Sequence, residues 1–292
     1  RQRQMCIRDR AYAEAKRKLF HADGLRYAVI NADDSFGSAL LGAIPPGVAP
    51  IASRLDNDPF RTRFPAQWVI GRNLQFDVNG MSMDVHTPWG SGVLHCGLLG
   101  RFNASNLLAA LASLCVSGLP FAEALKRLAK TRTVPGRMER FDMGAGRPLA
   151  VVDFAHTAAA LEAVLRSLRA HCRGKLWCVF GAGGDRDRGK RPLMGAVAER
   201  HADAIVLTDD NPRTEDAAKI VSDIRSGLKQ PAAVHVEHDR AHAIGWALQH
   251  AGEHDIVLIA GKGHETVQIV GNRAVPFSDR ERVRAIAREW SR

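Results

Sequence analysis

LWCVFGAGGDRDRGKRPLMGAVAERHADAIVLTDD, residues 176–210, decides the architecture. LWCVF is a short apolar run that reads as a strand buried on both faces. GKRPLMGAVAERHA then places apolar residues at three-to-four spacing, the mark of a helix with one inward face. AIVL returns as a second strand and ends on two acids. Strand, helix and strand of these lengths form a unit whose strands lie parallel.

The same alternation runs in both directions. LAVVDFA precedes this unit, and AVHVEHD and DIVLIAGKG follow it. TAAALEAVLRSLRAHC, EDAAKIVSDIRSGL and DRAHAIGWALQHA supply helices between the strands. A short strand around NRAVPF and a last helix, SDRERVRAIAREW, complete the set. From about residue 149 the chain is therefore expected to form an α/β domain, a doubly wound and mostly parallel sheet.

The preceding part is less regular. AYAEAKRKLF reads as helix, RYAVINADD as a strand with an acidic tip, and ASNLLAALASLCVSG as a helix opened by polar caps. Residues 60–97 alternate polar and apolar around NG and WGSG turns, which predicts antiparallel strands. TRTVPGRMERFDMGAGRP brings Pro, Gly and charge where the pattern changes, and the domain boundary is placed there, at 135/136.

The chain has 292 residues, enough for two domains with proper cores. Its 46% apolar and 25% charged residues are those of a globular protein, and no apolar run is long enough to span a membrane. Five cysteines without CxxC spacing (Cys6, Cys96, Cys115, Cys172 and Cys178) point to reduced thiols in a cytoplasm rather than to a disulfide framework or zinc site. The net charge of +10 suits an anionic ligand; with 6% aromatics and no basic repeat, nucleic acid is not expected. RQRQMCIRDR, residues 1–10, has no apolar periodicity and reads as a non-native, adapter-like segment. Its four Arg and one Asp supply +3 of the charge and leave +7 for the rest. With no Met at residue 1, the chain is expected to begin in mid-protein.

In an open α/β sheet, ligands bind beyond the carboxyl ends of the strands. Those ends carry AHT, GGDRDRGKR, DDNPRT, HDRAH and GKGHET, while the opposite ends are plain connections. One such tip is explained by helix capping; five together predict a ligand cleft. Two motifs fall short. Gly184 to Lys190 spells G-x-x-x-x-G-K, but Arg191 stands where a phosphate loop needs Ser or Thr. GAGG at 181–184 begins like a dinucleotide fingerprint, but Arg186 occupies the third glycine position.

VPGRMERF, VVDFAHT, GAGGDRDRGKRPLMG, TDDNPRTE and AGKGHET, with AYAEAKRKLF and GRFNASNLLAALA, follow one another in an order that resembles the Mur ligases, in their diaminopimelate-adding MurE type. The resemblance runs over residues 11–292, is strongest after 134 and weakest between 38 and 95. It implies that residues 11–135 are the second half of a central α/β ATP-binding domain and 136–292 a Rossmann-like amino-acid-binding ligase domain. It also implies ATP and Mg2+, with UDP-N-acetylmuramoyl-L-alanyl-D-glutamate and meso-diaminopimelate as partners. The chemistry would be activation of a carboxylate as an acyl phosphate followed by attack of an amine, in a cytoplasmic monomer without membrane insertion.

By the same resemblance, Asn103, Asn106, Arg137, Asp153 and His156 lie on the ATP side, although Asn103 would equally serve as a helix N-cap. Lys16 matches a lysine that takes up carbon dioxide to become a carbamate near magnesium. Arg186, Asp210, Asn211, Arg213, Gly261 and Glu265 match the amino-acid pocket. There the arginines would bind a carboxylate, and Asp210 and Glu265 an ammonium. The arginine of DNPR is the family's mark of diaminopimelate rather than lysine.

Two departures stand out. HTAAAL has Ala158 and Ala159 where the family has Pro and Asp. No GTNGKT-like phosphate loop and no uridine-binding domain occur in the 292 residues, so the resemblance covers about the last three-fifths of such a ligase. By itself the chain is expected not to turn over ATP. The alternatives are a lysine-adding or folylpolyglutamate-type ligase, or a non-catalytic amino-acid-binding protein.

Overall fold

The computed structural model describes residues 13–55 and 66–291. The adapter-like segment and positions 60–65 of the expected antiparallel region lie outside the described residues. The chain divides into two compact units between Thr131 and Arg132, four residues before the boundary read from the sequence. The second unit starts earlier because Val134 already accepts the Arg137 amide, at 3.0 Å.

In the first unit, residues 13–18 are helical and Leu19–His21 form a 3-10 turn. Five strands follow: β1 (Tyr27–Asn31), β2 (Ala49–Leu55), β3 (Gln67–Asp77), β4 (Gly80–Thr87) and β5 (Gly90–Cys96), hydrogen-bonded in that order. β1, β2 and β3 are parallel, and β3, β4 and β5 are the expected antiparallel strands. β2 is hard to see in the sequence because it contains Pro50. The proline is tolerated because it is the second residue of the strand, before pairing with β3 begins at Ile51. α1 (Ser35–Leu41) is capped by Asp34, whose carboxylate accepts the Gly37 amide at 2.6 Å.

α2 (Arg101–Val116) buries Leu107, Leu108 and Leu111 in one core with Ile51, Val69, Met83, Val85 and Leu94 of the sheet; α3 (Phe121–Leu128) closes that core with Ala124 and Leu128. α2 corrects one expectation. Its N-cap is Gly100, without a side-chain cap, and Asn103 lies inside the first turn.

The second unit holds a six-stranded sheet ordered β10-β9-β8-β11-β7-β6. β7 (Leu149–Asp153), β8 (Leu176–Phe180), β9 (Ala204–Leu207), β10 (His235–Val236) and β11 (Ile256–Ala260) are parallel. β6 (Glu139–Asp142), inside the segment read as a boundary, adds an antiparallel edge. β7, β8 and β11 are buried at every residue, as expected of strands covered on both faces.

α4 (Ala158–Arg169), α5 (Lys190–His201) and α6 (Ala217–Arg225) pack side by side, with α4 and α5 against the sheet. α7 (Arg240–His250) and α8 (Asp279–Trp290) join a different core, in which Ile244, Leu248, Val283 and Ile286 meet Val179, Val257 and Ile259. Each such side chain contributes about 1.5–3 kcal/mol on burial.

Two expectations about strands need correction. AVHVEHD shrinks to two paired residues, because its alternating polarity belongs to a half-buried edge strand and a 3-10 turn at Pro231–Ala233 precedes it. NRAVPF is not alone: β13 (Arg273–Pro276) pairs with an unforeseen β12 (Val267–Val270) in a separate hairpin. Among the described residues the four cysteines are free, and no helix is long and apolar enough to cross a membrane.

Candidate functional site

In the second unit β7 and β8 are consecutive in sequence, yet β11 lies between them. The tip loops diverge at such a point and leave a crevice beyond the strand ends. Short contacts hold the loops together there. Gly184 donates its amide to Asn211 O at 2.9 Å, and a Cβ added at Gly184 would lie 1.9 Å from Pro212 O. Only glycine allows the β8 and β9 loops to approach so closely.

Arg186 and Arg213 converge on this loop. A Cβ at Gly183 would stand 3.0 Å from Arg213 Nη1 and 3.7 Å from Arg186 Cγ. Arg213 Nη1 donates to Gly184 O at 2.8 Å, while the only hydrogen bond described for the Arg186 side chain goes to its neighbour, Asp185 O. Arg213 has φ 52°, a left-handed conformation uncommon for a residue with a side chain. The β12–β13 hairpin imposes it: the Arg213 amide donates to Ile269 O at 3.0 Å, and Gly271 donates to Arg213 O at 2.7 Å.

Beside the arginines lies an acidic group. Asp210 and Asn211 are buried and Glu265 is half-buried. Neither Asp210 nor Asn211 caps a helix; Asp216 caps α6 instead. Asn211 Nδ2 donates to Glu265 Oε2 at 3.0 Å. Gly261 has φ 118°, and a Cβ there would meet Asp210 Oδ2 at 2.6 Å, so the β11 tip requires glycine twice over. Burial pushes the Asp210 carboxyl above its ordinary range, against the opposing charges of Arg240 and Lys262. Cationic and anionic halves thus share one loop cluster, an arrangement complementary to a zwitterion.

A buried layer of ion pairs fixes this cluster from below. Arg191, fully buried, forks onto Glu215 at 2.9 and 3.0 Å and reaches Asp223 at 2.8 Å and Gly183 O at 3.2 Å. The Arg191 bond, the Asp185 amide and the arginine charges together hold the Glu215 carboxyl down at about 2. Arg240 and Asp279, also buried, pair at 2.7 and 2.8 Å, and Arg240 ties Ala260 O to Asp209 O. The residue that spoils the phosphate-loop pattern, Arg191, is therefore a structural member of this loop.

At the β7 tip, Asp153 accepts the amides of Met138 and Ala155, both at 2.8 Å, and its first role is to pin the GRM segment to the strand end. Burial raises its carboxyl, opposed by those amides and by Arg137. Arg137 is exposed, its guanidinium 4.7 Å from the centre of the Phe154 ring. The rings of His156 and His264 lie 4.7 and 5.1 Å from the same ring. His156 Nδ1 contacts Phe154 O at 2.8 Å, which leaves Nε2 pointing outward. Lys190 Nζ donates to His156 O at 2.8 Å, and burial lowers the pKa of that ammonium.

In the first unit Asn103 Nδ2 donates to Leu99 O at 2.8 Å, and Asn106 Nδ2 to Asn103 Oδ1 at 3.3 Å. Lys16 is exposed on its helical segment. Of the residues named from sequence, nine gather at the strand tips of the second unit; Lys16, Asn103 and Asn106 belong to the first. The sequence reading missed Lys190 and Lys262. Both directly follow a glycine at a strand tip, a signal that was available.

Comparison with known proteins gives this arrangement a family. The family model described as the Mur ligase middle domain matches residues 8–114, and the one described as the Mur ligase glutamate ligase domain matches 136–263. The chain belongs to the Mur ligases. A UDP-N-acetylmuramoyl-L-alanyl-D-glutamate--2,6-diaminopimelate ligase of Coxiella burnetii is 48% identical over 273 residues, which is 92% of this chain and 54% of that protein. A ligase of the same name from Alkalilimnicola ehrlichii is 48% identical over 272 residues, 93% of this chain and 53% of that protein. Among solved structures, one with that enzyme name superposes with a TM-score of 0.75 at 36% identity, covering 97% of this chain and 57% of the other. The Mur ligase chain described here thus spans about half the length of the curated relatives it matches.

Proposed function

We propose that the chain forms the amino-acid-selecting part, and some of the nucleotide-handling part, of an ATP-dependent ligase. The ligase would add meso-diaminopimelate to UDP-N-acetylmuramoyl-L-alanyl-D-glutamate during peptidoglycan synthesis in the cytoplasm. The observation that carries this reading is the placing of Arg186 and Arg213 over Gly183, beside the acidic group of Asp210, Asn211 and Glu265. One end of diaminopimelate is an amino acid whose carboxylate and ammonium match those two halves. Lysine has no distal carboxylate and would leave the arginines unmatched, which disfavours the lysine-adding alternative.

In this reading Arg213 and Arg186 take the distal carboxylate, where a planar guanidinium fits two oxygens at once. Glu265, with Asp210 behind it, takes the distal ammonium. The far amine is thereby presented for amide formation by positioning, which supplies much of the catalysis in such reactions. ATP would activate the glutamyl carboxylate. Arg137 and Lys190 are suited to its phosphates, being cationic donors grouped at the β7 tip, with the His156 ring beside them. A carbamate on Lys16, formed from the neutral amine and carbon dioxide with loss of one proton, would give magnesium one anionic ligand. Among the described residues no group of three His, Cys, Asp or Glu side chains completes such a site.

Calorimetric titration of the chain tests the reading. meso-Diaminopimelate is expected to bind at least about tenfold more tightly than L-lysine, the value of one charge-assisted hydrogen bond. Equal binding of the two would refute the assignment.

A further inference from the structure

The amino-acid site contains a buried ammonium that the proposed contacts do not use. Lys262 is 0% exposed, at the β11 tip immediately after Gly261. Its Nζ donates to Asn211 Oδ1 at 2.9 Å and to Glu265 Oε2 at 3.0 Å, and stands 3.8 Å from Asp210 Oδ1. Asn211 Oδ1 also accepts the Ile269 amide at 2.9 Å. Both neighbours of that oxygen are donors, so a flipped amide would turn its NH2 group towards two N–H groups. Nδ2 must therefore face Glu265, and does so at 3.0 Å. Two donors converge on Glu265 Oε2, while Oε1 accepts no hydrogen bond among the described residues.

We propose that Lys262 is a positioning residue that fixes the Glu265 carboxylate with one oxygen held inward and the other presented to the ligand, and so governs how tightly the site grips an ammonium. The proposal rests on the amino-acid site described above and assigns Lys262 no contact with substrate.

The charges support it. Lys262 and Arg213 face Glu265, while Arg240, paired with Asp279 from α8, acts on both Asp210 and Glu265. Burial works against the charged form of Glu265. The hydrogen bonds from Asn211 and Lys262, with the charges of Lys262 and Arg213, outweigh it and hold the carboxyl below its ordinary range. Lys262 lies within 4 Å of both carboxylates. Without it, two acids share a buried site with less compensation, and a site of that kind retains a proton.

The test is Lys262→Met in the 292-residue chain, with two readouts. The first is a carbon-13 NMR titration of the Glu265 carboxyl in the absence of ligand, in which the midpoint is expected to move upward. The second is calorimetry with meso-diaminopimelate and with L-lysine. Both should bind about ten- to a hundredfold more weakly at pH 7, because both offer an ammonium. The preference for diaminopimelate should persist, and part of the loss should be recovered as the pH is raised. A lysine that merely filled space would leave the Glu265 midpoint in place, and that result overturns the proposal. If the Met variant does not fold, Lys262→Gln, which keeps a donor but no charge, carries the same test. A wild-type chain that does not prefer diaminopimelate would sink the substrate assignment, while the titration would still decide what Lys262 does.

Discussion

Replacing Arg213 by alanine should remove carboxylate recognition from the site. The guanidinium is preset by its 2.8 Å bond to Gly184 O and carries further N–H donors for a ligand. A hydrogen bond to a charged group contributes about 1.5–3 kcal/mol, so the affinity for meso-diaminopimelate should fall about ten- to 150-fold. L-Lysine, which has no distal carboxylate for Arg213 to hold, should lose much less affinity than diaminopimelate, so the preference collapses. Arg213→Lys should rescue poorly, because an ammonium cannot grip two oxygens in one plane. The backbone supplies an internal control. At φ 52° a side chain costs about 1–2 kcal/mol, so Arg213→Gly should lose the same affinity as Arg213→Ala while melting at a higher temperature. Calorimetry at fixed ionic strength and thermal melts read both effects. If Arg213→Ala binds diaminopimelate like the wild type, the arginine is only a loop clamp and specificity must lie elsewhere.

Three further outcomes are expected. Glu215 titrates at about 2 in the folded chain against an ordinary 4.5, so its contribution to stability is complete above 4.5 and disappears as pH falls towards 2. Melting temperatures measured over that interval should drop, and Glu215→Gln should flatten the drop. Asp279→Ala leaves the buried Arg240 guanidinium unpaired and should cost about 3–5 kcal/mol in urea unfolding, whereas Arg240→Met with Asp279→Leu should cost much less. With the amino-terminal half of the Coxiella burnetii relative joined to this chain, Lys16→Ala should abolish most ligation. Small carboxylates should partly restore it, and near-wild-type activity would remove Lys16 from the reaction.

The parallel sheet was legible because LAVVD, LWCVF and IVLIA are unbroken apolar runs, a pattern that needs covering on both faces. β2 was hidden by Pro50 and β6 by the Pro and Gly around it, since local composition does not reveal which strand can accept an edge or a first-turn proline. The hairpin of β12 and β13 has exposed valines and an ordinary turn, and its meaning lies in a long-range bond to Arg213. The site was legible as a set of loops and not as a mechanism. Arg186, Arg213 and Glu265 could be named only through the resemblance of their motifs to those of the Mur ligases. That Asp153 holds a backbone segment, and that Asn103 lies past the helix start, depended on hydrogen bonds seen only in three dimensions. Lys190 was seen only as the end of a phosphate-loop pattern that fails at Arg191, and Lys262, between two glycines, gave no sign of its burial.

The hairpin has a consequence for how such a site changes over generations. It holds residue 213 by the main chain alone, through the amide and carbonyl that every amino acid except proline possesses. The hairpin's hold on the loop therefore does not depend on which side chain is mounted there, although φ 52° disfavours β-branched ones. A single codon change can exchange what is read without rebuilding the mount, and selectivity can drift while the scaffold stays still.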